Sequence, residues 1–166
     1  TSASLLINQA ASMNLAIPLL AGDTWDSSVI AEAAKGTNVE VCLSTFLCEG
    51  ASEQVDAFIK GFQEYLNADS EKLTNNGGND VVSAVSALGY DAYMVAIEAI
   101  KGADSADSEA IREALKAVSY EGVTGSIVFD ENGDADKDTA YIKGVDNATG
   151  EFTFVKMQTV ADLESK

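Results

Sequence analysis

The spacing of apolar residues changes twice along this chain, and that change restricts the available folds more than any composition value does. From Val55 to Leu66 the residues Val55, Phe58, Ile59, Phe62, Tyr65 and Leu66 recur at helical intervals, with Glu53, Gln54, Lys60 and Glu64 on the other side. From Asp80 to Ile100 the chain is almost free of charge. Val81, Val85, Leu88, Ala92, Val95, Ala99 and Ile100 form a broad stripe there, so this second helix is expected to be largely buried. Asp107 or Ser108 can cap a third helix, Glu109 to Val118, and the run from Asn75 to Asn79 reads as a loop.

On either side of this helical block the chain reads differently. Leu5, Leu6, Ala10, Met13 and Leu15 share one helix face, which Pro18 ends, and Ile17 to Ala21 reads as a short buried strand running into Gly22. Ser27 or Ser28 can cap a short helix through Ala34, closed by Gly36, and Val39, Val41 and Leu43 alternate as a strand. After Gly122 the strand signals Ile127 and Phe129, Tyr141 to Val145, and Phe152 to Val155 follow, separated by turns at Asp130 to Asp134 and Asp146 to Gly150. They read as a C-terminal antiparallel meander. The class is α/β, with too few parallel strands for a complete doubly wound sheet.

Composition removes several functions. The 166 residues carry a formal net charge of -17, which repels nucleic-acid backbones and anionic lipid surfaces. There is no histidine, so the commonest general base and the commonest zinc ligand are both absent. Cys42 and Cys48 match no zinc spacing, and on one extended segment they stand too far apart to bridge; free thiols are expected unless the chain turns between them. No apolar run is long enough to span a membrane. The absence of an initiator Met before Thr1 and of a signal peptide suggests that the numbering begins inside a longer protein.

Two local patterns resemble ligand loops and fail on detail. Asp130, Asn132, Asp134 and Asp136 alternate like the start of a calcium loop, but Ala135 and Tyr141 stand where such a loop needs Gly and Glu. Asn132-Gly133 between apolar runs is a hairpin turn instead. Gly77-Gly78 lacks the remainder of a phosphate loop. No metal site and no cofactor is expected.

Four motifs then occur in order. Pro18-Leu-Leu-Ala-Gly-Asp-Thr-Trp-Asp-Ser27, Ala87-Leu-Gly-Tyr-Asp-Ala92, the helix from Ala103 to Leu115, and Tyr120-Glu-Gly-Val-Thr-Gly125 with Ile127-Val-Phe-Asp-Glu-Asn-Gly-Asp134 resemble stretches of the type I periplasmic binding proteins, specifically the branched-chain amino acid receptors of ABC transporters. The resemblance runs from the first helix to about Val155, while such a protein is about twice as long, so it implies a C-terminal half. It implies two α/β lobes closing on a ligand. Residues 1–44 would be a second-lobe segment, 45–50 a crossover, 51–118 first-lobe helices, and 119–166 the return crossover and second-lobe strands.

The resemblance also implies a function: the extracytoplasmic solute-binding component of an ABC transporter, lodged in the periplasm or on the cell surface. Its partners would be an amino-acid ligand, an ABC permease, and the N-terminal half of the same protein or a second copy of this chain. The alternative is the sensing domain of a receptor with the same fold. The polar sequence from Val155 to Lys166 favours the transporter, and an enzyme is not expected.

An amino-acid ammonium held away from water needs a charged acceptor. Asp23 follows Gly22 at a strand's carboxyl end, where open α/β sheets bind ligands. Read alone it is either a turn or cap residue or that acceptor; the resemblance implies the acceptor. Thr24 and Trp25 would stand beside it, Trp25 reading either as core or strand-end packing or as a rigid apolar wall of the cleft. Asp26 and Ser27 read as capping groups. Ala87 and Tyr90 would line the cleft from the first-lobe side, and Asp91, costly in an uncharged helix without a partner, points either to a hydrogen bond at the crossover, the favoured reading, or to the ligand cleft.

Overall fold

A computed structural model describes residues 2–15 and 17–164. Thr1, Ser165 and Lys166, on which the reading of the chain's ends rests, lie outside the described residues. Helix α1 (Ser2–Ser12) leads to strand β1 (Leu19–Ala21), one 3-10 turn (Asp23–Trp25), helix α2 (Ser28–Ala34) and strand β2 (Val41–Thr45). Four helices follow: α3 (Glu53–Asn67), α4 (Ser70–Asn75), α5 (Ala84–Ala103) and α6 (Ser108–Leu115). Strands β3 (Tyr120–Gly122), β4 (Gly125–Phe129), β5 (Ala135–Asp136), β6 (Thr139–Asp146) and β7 (Glu151–Thr159), then helix α7 (Ala161–Glu164), complete the described residues.

The helices start where side chains can satisfy their first free N–H groups. Ser27 accepts from Val29 N at 3.4 Å, Ser52 from Val55 N at 3.2 Å and Ser83 from Ser86 N at 3.2 Å. The Asp107 carboxylate takes both Glu109 N and Ala110 N, at 3.1 and 3.0 Å. Helix α4 carries no apolar stripe; Asp69 caps it through Glu71 N at 2.9 Å, which is the signal its sequence holds.

Strands from both ends of the chain share one sheet. Its order is β1-β2-β6-β7, with β1 and β2 parallel and the other two pairings antiparallel. Helices α1 and α2 cover this sheet, burying Ile7, Ala10, Ile30 and Ala34 against Val39 and Val41. Each of the isoleucines and valines contributes about 1.5–3 kcal/mol by leaving water, and each alanine less. Asn147, in the turn between β6 and β7, fastens the loop after α2: its Nδ2 lies 3.0 Å from Ala34 O and 2.9 Å from Val39 O.

Strand β4 does not join the β6–β7 hairpin. It pairs with β3 and β5 in a separate three-stranded sheet, because the turn at Asp130 folds it back on β5 before the chain reaches β6. The Asp130 carboxylate organises that turn by accepting from Asn132 N at 2.8 Å and Asp134 N at 2.9 Å, and these bonds hold its pKa below the usual carboxylate range. A second core joins Leu47, Val55, Ile59, Ala84, Ala87 and Val123.

The expectation that α5 is largely buried is corrected. One face is covered, through Ala84, Ala87, Asp91, Val95 and Ala99, while Val85 is 75% and Tyr93 66% exposed. Nothing in the described residues packs over that second face.

Candidate functional site

The turn between β1 and α2 is built by its own backbone. Trp25 N donates to Gly22 O at 3.1 Å, Asp26 N to Asp23 O at 2.9 Å, and Ser27 N to Trp25 O at 2.8 Å. Asp23 and Thr24 are exposed on this turn, and half-buried Trp25 rests against the core of α1, α2 and β2. Among the described residues the Asp23 carboxylate makes no hydrogen bond or ion pair.

Asp26 is half-buried instead, with its carboxylate largely out of water, and its expected capping role is corrected. It accepts from Thr45 Oγ1 at 2.6 Å and pairs with Lys143 Nζ at 3.0 and 3.1 Å. Its side chain is 9% exposed and that of Lys143 12%, so the pair sits almost out of water. Ser27 alone caps α2. Two ionisable neighbours feel the burial: it raises the pKa of the Cys48 thiol, with Lys143 opposing, and raises that of Tyr141. Cys42 and Cys48 are free thiols.

Asp91 found the partners its position demands. Fully buried, it accepts from Val123 N at 3.0 Å, Thr124 N at 2.8 Å and Thr124 Oγ1 at 2.6 Å. Gly122 permits that approach, since a Cβ there would lie 2.5 Å from Asp91 Oδ2. Lys137 Nζ donates to Thr124 O and Oγ1, each at 2.9 Å. Burial lowers the Lys137 pKa, and the Asp91 charge opposes that shift. The cluster joins α5 to the segment between β3 and β4.

The remaining expected site residues lie apart from the turn. Ala87 is 0% exposed within the second core, which leaves its side chain no open surface for a cleft wall. Tyr90 lines a groove of about 660 Å³ with Phe58, Phe62, Tyr65 and Tyr120, its ring centroid 5.1 Å from that of Phe58. Neither that groove nor an apolar one of about 380 Å³ between α5, α6 and β4 includes Asp23, Thr24 or Trp25. Among the described residues no group of three or more acidic or thiol side chains could hold a metal ion, and no helix is long and apolar enough to cross a membrane.

The profile of the family described as periplasmic binding protein matches residues 1–149. This chain belongs to the periplasmic binding protein family. That family is extracytoplasmic and binds solutes, and it is not a family of enzymes. The fold is similar to that of a leucine binding protein, LivK, from Thermotoga maritima, at 29% identity and a TM-score of 0.74 over 97% of this chain and 43% of that one. An ABC transporter substrate-binding protein from Desulfitobacterium hafniense matches at 22% identity and a TM-score of 0.66, over 92% of this chain and 40% of that one. An ABC transporter substrate-binding protein from the same organism, solved in complex with Leu, matches at 22% identity and 0.61, over 92% and 39%. At that identity the last two show the fold alone. No curated protein matches.

The chain therefore spans less than half the length of these relatives of the two-lobe periplasmic binding fold. Sequence reasoning missed Lys143, whose partner Asp26 is 117 residues away. The available signal was its place in an otherwise weakly charged strand, where a buried cation needs a counter-charge.

Proposed function

We propose that this chain supplies part of the amino-acid site of an ABC-transporter solute-binding protein, working outside the cytoplasm and delivering its ligand to a permease. The observation that carries this reading is the contrast within one turn. Lys143 compensates Asp26, whereas Asp23, at the carboxyl end of β1, has no partner among the described residues. An exposed carboxylate beside the half-buried Trp25 ring suits a ligand with a cationic amine and an apolar side chain. Thr24 adds a hydroxyl within the same turn.

The four-stranded sheet with α1 and α2 would be second lobe, α3 to α6 first lobe, and residues 45–50 and the segment from 119 to β4 two of the crossovers. Tyr90 would then face the ligand from the other side. The groups that hold the ligand carboxylate would come from the rest of the two-lobe protein, whether as the same polypeptide or as an associated one. A second copy of this chain is the other candidate partner.

Titration of leucine followed by fluorescence of Trp25, the sole tryptophan, tests this. The chain alone should respond only at millimolar concentration, about −4 kcal/mol of binding free energy, and Asp23→Asn should remove the response. Micromolar leucine binding by the monomeric chain would overturn the partial-site reading. An undiminished response in Asp23→Asn would overturn the role of Asp23.

A further inference from the structure

Resting on that reading, we infer that Asp26, through its pairing with Lys143 and Thr45, is the positioning residue of the ligand turn and determines which of two neighbouring carboxylates stays free for the ligand. The two acids are Asp23 and Asp26, at the start of the 3-10 turn and immediately after it. A free carboxylate can bind an amine, but two mobile ones so close together would offer alternative poses and compete for any cation nearby. The structure removes the second acid by burying it against Lys143.

Lys143 is itself held in place. Besides both Asp26 oxygens, it has the Phe152 ring, with Nζ 5.4 Å from the centroid. The β6–β7 pairing shifts register beside it: Ile142 opposes Lys156 whereas Lys143 opposes Phe154, leaving Val155 without a partner. The extra residue belongs to β7, so the bulge bends β7, while Lys143 stays in the paired strand opposite Phe154. The ammonium is thus delivered from β6 to the turn that follows β1, across β2.

Thr45 supplies the second contact, and its place matters. It is the last residue of β2, directly before the chain departs toward α3, and it is buried. Its 2.6 Å hydrogen bond to Asp26 makes the ligand turn and the start of that departing segment one rigid unit. A nearly buried ion pair contributes little net stability compared with well-packed apolar residues, because desolvation offsets the attraction. Orientation is what the pair adds here. Asp23 and Trp25 are fixed at one end by β1 and at the other by Asp26.

Trp25 reports on the turn directly. Acrylamide quenching of its fluorescence should rise about twofold in Asp26→Asn and Lys143→Met, as local opening exposes the ring, and less in Thr45→Val. Lys143→Arg, which keeps the charge, should restore most of the protection. Far-UV circular dichroism identifies variants that retain the fold. In the same variants the leucine response of Trp25 should weaken about tenfold, whereas Asp23→Asn should lose that response with quenching unchanged.

Unchanged quenching in folded Asp26→Asn and Lys143→Met would overturn the positioning role. Should both variants unfold, Thr45→Val decides, because it deletes one hydroxyl; wild-type quenching there would overturn the role equally. A wild-type chain with no leucine response removes the ligand reading alone, since quenching still tests whether Asp26 holds the turn.

Discussion

Helices α1 and α2 share their apolar faces with a four-stranded sheet, whereas α5 and α6 lie beside a three-stranded one whose last strand, β5, has two residues. The first arrangement closes a core, with Ile7 and Ala34 fully out of water. The second leaves two open grooves, one on Tyr90 and Phe58 and one on Leu88 and Ile127. A helix in an α/β layer needs a sheet to cover it. Helix α5 is thus patterned for more burial than the described residues provide, which agrees with relatives more than twice this length.

Each half can be broken at its own anchor. The largest effect should come from Asp91→Ala, which leaves Val123 N and Thr124 N buried without an acceptor and strips Lys137 of its opposing charge. A loss of about 3–5 kcal/mol in urea unfolding is expected; a change within error would show that water replaces the carboxylate and that α5 is not pinned to β4. Next in size is Gly122→Ala, whose Cβ would meet the Asp91 carboxylate. The cost should be about 1–3 kcal/mol, and combined with Asp91→Ala the two should be strongly non-additive, because the obstructing group is gone.

The smallest stability effect is expected on the open face of α5. Val85→Gln with Tyr93→Gln, on the open face of α5, should change unfolding free energy by less than about 0.5 kcal/mol. The same pair should reduce self-association in light scattering, because exposed apolar patches draw copies together. If the unsubstituted chain is monomeric at every concentration tested, the open face does not recruit a second copy.

The element boundaries of the sheet-backed half were legible in sequence, but its burial was not: Leu5, Leu6 and Met13 on the expected face of α1 are exposed while Ile7 and Ala10 are buried, and Leu20 in the expected buried strand is 78% exposed. Gly22 after an apolar run marked the end of β1, Ser27 marked the start of α2, and Gly36, with φ of +71°, stands in the left-handed conformation expected just beyond a helix. Asp91 was legible too, since the cost of a lone buried carboxylate in α5 required a partner. Asp26 was misread as a cap because Lys143 is remote in sequence, and periodicity carries no information about contacts between distant strands. The open face of α5 was misjudged for a related reason: an apolar stripe specifies that something should cover it, and does not say whether this chain contains the cover.

Strand β2 pairs with β6, a partner made much later in the chain. On a ribosome, β1 and β2 emerge with the edge of β2 unpaired, and all of α3 to α6 must be synthesised before β6 appears. Local helical contacts form faster than such distant pairings. The nascent chain should thus acquire its helical middle first and carry an unsealed strand edge meanwhile, the state in which chaperones matter most.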